Sequence, residues 1–255
     1  MNTKNSKYFL SIFLIILVFA SCKPGRKGNI LFEVLKSDRT GLTFNNKLTY
    51  TQDLNLFKYM YFYNGAGVGA GDFNNDGLID LFFSANQSPD KLYLNKGNLR
   101  FQDVTIEAKI PEDGGWSTGV SVVDINGDGL LDIYVCRVSK LLGLQGENQF
   151  LICQGIDKNG VPFYIDKARE YGLNFSGLST HAAFFDYDGD GDLDMFLLNH
   201  SVHQNANFAE RKRFVDTYSD VSGDRMFRND GTRFTDVTKD GALTLNGRHP
   251  RNVVL

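Results

Sequence analysis

Three copies of one acidic loop constrain this chain more than any other feature. The first is Asp72-Phe73-Asn74-Asn75-Asp76-Gly77-Leu78-Ile79-Asp80. The second is Asp124-Ile125-Asn126-Gly127-Asp128-Gly129-Leu130-Leu131-Asp132, and the third is Asp186-Tyr187-Asp188-Gly189-Asp190-Gly191-Asp192-Leu193-Asp194. All share D-x-(D/N)-x-D-G-x-x-D, and their starts lie 52 and 62 residues apart. Self-similarity at such a period marks a repeat architecture in which each copy is one supersecondary unit. A short apolar run precedes each loop (67–71, 119–123, 181–185) and a stronger one follows it (81–84, 133–136, 195–198). These runs are short, and rich in β-branched and aromatic residues, so the loops sit between strands.

The spacing also dictates a chemistry. Oxygen donors at positions 1, 3, 5 and 9, with a backbone carbonyl at 7, wrap a hard cation. Calcium takes six to eight oxygens in flexible geometry, whereas magnesium holds a tighter octahedron and keeps its waters. Glycine at position 6 permits the sharp turn. Carboxylates packed this closely repel one another without a cation. An EF-hand is excluded, because position 12 is Phe83, Val135 and Leu197 rather than Glu, and no helices flank the loops. A single copy would also fit a metal-free Asp/Asn/Gly turn; three in register favour calcium at about three sites.

A second pair of strands follows in each unit: 92–94 and 99–105, then 150–152 and 162–166, then 226–228 and 233–238. Asn95-Lys96-Gly97 and Asn229-Asp230-Gly231 supply hairpin turns. Phe101-x-Asp103-Val104-Thr105 recurs as Phe234-x-Asp236-Val237-Thr238. Four strands per unit of fifty to sixty residues is the pattern of a propeller blade. Loop and hairpin together resemble the FG-GAP/VCBS repeat family, over roughly residues 64–243. That family includes integrin alpha-subunit propellers and bacterial relatives of cartilage acidic protein. The resemblance implies an all-β fold, a partial or incomplete β-propeller with calcium loops between strands. It implies binding or adhesion rather than catalysis. It makes Asp72, Asn74, Asp76 and Asp80 ligands, with the carbonyl of Leu78. Asp124, Asn126, Asp128 and Asp132 follow with Leu130, then Asp186, Asp188, Asp190 and Asp194 with Asp192.

The N-terminus reads as an address. Lys4 and Lys7 precede an apolar run from Tyr8 to Ala20, too short to span a bilayer and suited to a signal-peptide core. Leu17-Val18-Phe19-Ala20-Ser21-Cys22 resembles a bacterial lipobox, with Phe19 where Leu is usual. The resemblance implies removal of residues 1–21 and lipidation of Cys22, with ordinary secretion as the other reading. Residues 22–29 form a polar tether. The expected location is a bacterial membrane, by lipid anchor, on the periplasmic side or the cell surface.

The remaining features bound function. With 27 Lys+Arg against 30 Asp+Glu, net charge is -3, which excludes the basic surplus that nucleic-acid binding needs. Gly115-Trp116-Ser117-Thr118-Gly119 matches G-x-S-x-G, but a strand rather than a helix follows it. Gly65, Gly67, Gly69 and Gly71 alternate, yet an acidic loop follows and would repel phosphate. His200 and His203 lack a third ligand and read as surface histidines. Cys136 and Cys153 read as buried free thiols, with a bridge in an oxidising compartment as the other reading, and residues 207–220 as a solvated insertion, with a partner-binding loop as the sharper reading. Residues 30–32 and 42–44 are expected to supply outer strands, and Tyr59 to Tyr63 a part of the core. The step from Asp103 to Asp124, repeated from Asp236, puts a fourth loop at about position 257, past Leu255. Residues 30–255 therefore read as a propeller segment truncated at its C-terminus. The functional expectation is an exported calcium-binding lipoprotein that binds a protein or glycan partner. The rivals are an N-terminal or non-functional fragment of a larger surface protein, and a propeller hydrolase or lyase.

Overall fold

The computed structural model describes residues 31–201 and 219–239. The signal segment, Cys22, the tether, His203, most of the 207–220 insertion and the predicted fourth-loop position lie outside them. The chain divides into two units, Met1–Lys36 and Ser37–Leu255. In the first, residues 31–36 have no regular structure and are largely exposed.

Among its described residues the second unit is all-β apart from two four-residue helices, α1 (Ser37–Thr40) and α2 (Ala168–Tyr171). The twelve strands described form three four-stranded antiparallel sheets. The first holds β1 (Val68–Gly71), β2 (Asp80–Phe83), β3 (Lys91–Asn95) and β4 (Phe101–Asp103). The second holds β5 (Trp116–Val123), β6 (Asp132–Val138), β7 (Gln149–Ile156) and β8 (Pro162–Asp166). The third holds β9 (Ser179–Phe185), β10 (Asp194–Asn199), β11 (Arg225–Asn229) and β12 (Phe234–Asp236). Each is a meander in which every strand pairs with its sequence neighbour, the architecture of a β-propeller blade.

The middle blade shows why the blades stack. All seven residues of β6 are buried. Successive side chains of a strand face opposite ways. Ile133 and Val135 thus join one core with Phe82, Leu92 and Leu94 of the first blade. Tyr134 and Cys136 join another with Met195, Leu197 and Phe227 of the third. The next strand divides likewise: Leu151 and Cys153 go to the first core, Phe150 and Ile152 to the second. Burying each such aliphatic or aromatic side chain is worth roughly 1.5–3 kcal/mol, so a blade exposed on either face would forfeit much of its stability.

First strands of adjacent blades lie side by side. A Cβ on Gly67 would stand 2.5 Å from the Thr118 carbonyl oxygen, and one on Gly69 would stand 2.9 Å from the side chains of Val120 and Val122. The alternating glycines are therefore a packing seam. Hydroxyls complete it. Ser84 Oγ donates to Thr118 O at 2.6 Å, Thr118 Oγ1 to Ser179 O at 2.9 Å, and Ser121 Oγ to Ala182 O at 2.5 Å.

Some expectations fail in the N-terminal stretch. Residues 31–32 and 42–44 form no strand, so they do not supply outer strands for a ring. Phe44 instead stacks on Phe83, with ring centroids 4.8 Å apart. Of the aromatic run, Tyr59 and Phe62 are buried beside Trp116, but Tyr63 is exposed. Cys136 and Cys153 are buried free thiols. His200 is half-buried rather than fully exposed: its Nε2 meets the Tyr59 hydroxyl at 3.2 Å, and burial lowers its pKa.

Candidate metal centre

Each acidic loop connects the first and second strands of its blade. Register fixes the ends: Asp80 pairs with Gly71, Asp132 with Val123 and Asp194 with Phe185. Position 9 is thus the first residue of the second strand, and all three of these carboxylates belong to fully buried residues.

A common set of hydrogen bonds closes the loops, with one difference at position 1, where Asp186 takes the N–H of position 4 in place of position 5. The position-1 carboxylate of Asp72 accepts the N–H of Asp76 at 3.0 Å and of Gly77 at 2.8 Å. Asp124 accepts Asp128 and Gly129, and Asp186 accepts Gly189 and Gly191. Position 5 accepts the N–H of position 7: Asp76 from Leu78, Asp128 from Leu130, Asp190 from Asp192. Two left-handed residues bend the chain inward. Position 6 is glycine in every copy, and position 4 is Asn75, Gly127 or Gly189, with φ of 55°, 69° and 78°. The position-4 requirement was legible in the sequence, since Asn and Gly tolerate that region best.

Position 9 acts as a staple. One oxygen of Asp80 accepts Phe73 N–H at 3.0 Å, and the other accepts Asn95 N–H at 2.7 Å from the third strand. Asp132 does the same with Ile125 and Cys153, and Asp194 with Tyr187 and Asn229. This explains the hairpin motif. Asn95 returns its Nδ2 to Ile79 O in the loop while its Oδ1 takes Gly97 N–H in the turn. Asn229 repeats both bonds with Leu193 and Gly231. Loop and hairpin co-occur because each holds the other.

Two further ties lay unread in the sequence. Asp90, Asn148 and Asp224 each precede the third strand of their blade. Each accepts one backbone N–H from the end of the second strand or just beyond it: Ala85, Arg137 and Asn199. The Asp-Val-Thr ending folds so that Thr105 Oγ1 takes Leu92 N–H and Thr238 Oγ1 takes Met226 N–H. In the second blade Asp166 takes Phe150 N–H directly, which dispenses with the threonine.

Electrostatics differ among these carboxylates. Burial pushes Asp80 and Asp132 up to about 6, against the two N–H bonds each accepts, and the nearby loop aspartates add to the rise. Asp188 and Asp192 are raised by desolvation and then by the charge of Asp190. Among the described residues, carboxylate oxygens of Asp186, Asp188 and Asp194 lie within 4.8 Å of one another. In the first two loops position 3 is an amide, and Asn74 and Asn126 donate to the position-5 carboxylates. The third loop therefore gathers the densest negative charge. Its all-oxygen donor set fits a hard divalent cation of calcium type. Neighbouring loops also touch, because Asn75 Nδ2 donates to Gly129 O at 3.0 Å.

Asp224 offers a test of the second tie. Burial pushes its carboxyl up to about 6, although Asn199 N–H pulls it down, and an unfolded aspartate titrates at about 4. Between those values the folded state holds the proton more tightly, so this group's stability contribution falls as pH rises from about 4 to 6. Asp224→Asn keeps the acceptor, as Asn148 does in the second blade. It is expected to gain about 1 kcal/mol over wild type at pH 7 and to match it near pH 4. Urea denaturation at both pH values measures this, and a loss of stability at pH 7 would contradict it.

Ser117 is fully buried and donates to Asp90 at 3.2 Å at the start of β5. It belongs to the inter-strand ties. Among the described residues no helix is long and apolar enough to cross a membrane.

The comparisons with known proteins agree with this architecture. Residues 59–135, from before the first loop to within β6, match the family model described as FG-GAP-like repeat. Cartilage acidic protein 1 of Xenopus tropicalis is 28% identical over 137 residues, covering 52% of this chain and 20% of that protein. Cartilage acidic protein 1 of Homo sapiens is 26% identical over 183 residues, 71% of this chain and 25% of that protein. The Mus musculus protein is 25% identical over the same length, 71% of this chain and 26% of that protein. The chain spans a quarter or less, or just over a quarter, of the length of these relatives.

Proposed function

We propose that this chain is an exported, calcium-stabilised binding module whose partner is a protein or a glycan. The carrying observation is the triple acidic loop, whose third copy brings Asp186, Asp188 and Asp194 together. Likeness to cartilage acidic protein 1 and the FG-GAP-like repeat support binding rather than catalysis. In each loop, positions 1, 3, 5 and 9 and the carbonyls of Leu78, Leu130 and Asp192 would hold the ion. A bound calcium supplies positive charge that offsets the repulsion among these aspartates. The protein's own part is to hold the first two strands of each blade at fixed spacing, through the position-9 staple. Thermal melts of the full chain in calcium and in chelator test this, and an unchanged melting temperature would sink it.

Export and anchoring rest on the N-terminal segment. Residues 1–21 direct the chain across a membrane and Cys22 carries lipid, with the tether leading into the blades. Palmitate should label the wild-type chain in bacteria and fail to label Cys22→Ser. Equal labelling of both would contradict the anchor.

A further inference from the structure

Two observations single out the chain before the first blade. Among the described residues sixteen large apolar side chains are exposed, and eight of them fall within residues 31–63. The blades, which are several times longer, share the other eight. Charge changes sign at the same boundary. Residues 23–63 hold seven Lys and Arg against three Asp and Glu, a net charge of +4. Residues 64–255 hold 18 against 27, a net charge of -9.

The exposed side chains of the second unit sit on a built turn rather than a slack segment. Residues 51–59 fold around Asn55. Its Nδ2 donates to Thr51 O at 2.9 Å and to Gln52 O at 3.1 Å. Its Oδ1 accepts the N–H of Phe57 at 3.0 Å and of Lys58 at 3.2 Å. Tyr59 N–H closes the turn on Asn55 O at 2.8 Å. Tyr59 and Phe62 then root the segment in the core with Trp116.

The whole bonding capacity of one amide thus goes into a tip that holds Phe57 89% exposed. Leu56, Met60, Tyr63 and Tyr50 are exposed in the same stretch. Apolar side chains gathered and held in water mark an interaction surface. Of the five exposed aromatics among the described residues, four lie within residues 31–63. Aromatic rings favour the boundary between an apolar phase and water, as at a membrane interface.

We infer that residues 50–63 dock on an anionic lipid bilayer, with Phe57 inserted at the headgroup level. The inference rests on the anchoring reading of Cys22 and deepens it, because the anchor brings the chain to a membrane and this surface sets which side meets it. Fifteen residues run from Cys22 to Ser37, so the anchor keeps the start of the second unit within about 50 Å of the bilayer. The basic surplus begins at Lys23, directly after the anchor. Negative headgroups attract it and repel the acidic blades. A lipid surface therefore matches both the confinement and the charge, whereas a soluble protein partner accounts for neither.

The test uses the full chain reconstituted into vesicles of phosphatidylethanolamine and phosphatidylglycerol with brominated acyl chains, which quench tryptophan on contact. Trp116 is the single tryptophan and is buried, so the wild-type chain sets the baseline. Phe57→Trp puts a reporter on the tip, and Ile165→Trp puts one on β8, where Ile165 is 49% exposed. Both positions lie outside the core, so both variants should melt as wild type does. The bromines should quench Phe57→Trp about twice as strongly as wild type, because interfacial side chains reach about 5–10 Å into the headgroup and acyl boundary. Ile165→Trp should show no added quenching. In brominated phosphatidylcholine, which carries no net charge, the extra quenching of Phe57→Trp should fall sharply. Equal added quenching of both variants, none for Phe57→Trp, or an undiminished effect in phosphatidylcholine would each overturn the inference. Failure of the anchor is read separately, by palmitate. A labelled chain with an unquenched tip removes this surface alone, and a quenched tip on a chain that takes no palmitate upholds the surface and removes the anchor.

Discussion

In about 2 mM calcium the full chain is expected to melt roughly 5–20 °C higher than in excess chelator. Three loops contribute. A ligand that binds only the folded state stabilises it by RT ln(1 + [L]/Kd). For dissociation constants of about 10⁻⁴–10⁻³ M, common in extracellular calcium modules, each site gives about 0.6–1.8 kcal/mol at that concentration. Three sites then give about 2–5 kcal/mol. Magnesium at the same concentration should shift the melt far less, because it resists trading its waters for a many-oxygen loop. The third loop should fill first, since Asp188 replaces the amide found at Asn74 and Asn126. Asp188→Asn should therefore lower the calcium shift and leave the chelated melt unchanged or raised, given that neighbouring charge already penalises this carboxylate.

The second large effect belongs to the staple. Asp132→Ala should cost about 2–4 kcal/mol by urea denaturation in chelator, before any metal contribution is counted. The alanine leaves Ile125 N–H and Cys153 N–H without their acceptors. Each stranded buried amide costs about 1–3 kcal/mol. Removing a buried carboxylate, itself raised to about 6 by burial, offsets part of that sum. Asp132→Asn is expected to fall between, because its amide keeps one acceptor and turns an NH₂ toward the other N–H. In calcium the gap between wild type and Asp132→Ala should widen as a ligand is lost. An alanine variant within about 0.5 kcal/mol of wild type in chelator would show that position 9 serves the metal alone.

Much of the blade pattern was legible because its parts are local. A strand, a nine-residue loop and a strand declare themselves through alternating burial and fixed Asp and Gly spacing. Asn95 and Gly97 mark the hairpin for the same reason. What escaped depends on partners distant in sequence. Asp90, Asn148 and Asp224 look like ordinary turn residues until the second and third strands pair. Gly67 and Gly69 spell a phosphate-loop rhythm, and only the approach of Val120 explains them. Leu42 to Phe44 has strand composition, but Phe44 is drawn off by stacking on Phe83. Tertiary packing overrode propensity there. The half-burial of His200 is hidden for the same reason, because Tyr59 lies far from it in sequence.

The neighbour-to-neighbour strand order also sets a timetable. Within the three described sheets every strand pairs with its neighbour along the chain, so none of these sheets waits for residues of a later one. Closing short loops is cheap and fast. A blade emerging from a ribosome or an export channel can register its own four strands before the next is complete. The glycine seam and the two stacked cores then form as each finished sheet meets its predecessor. The slow step is thus the docking of sheets, and the surface at risk meanwhile is the one that β6 hides on both sides.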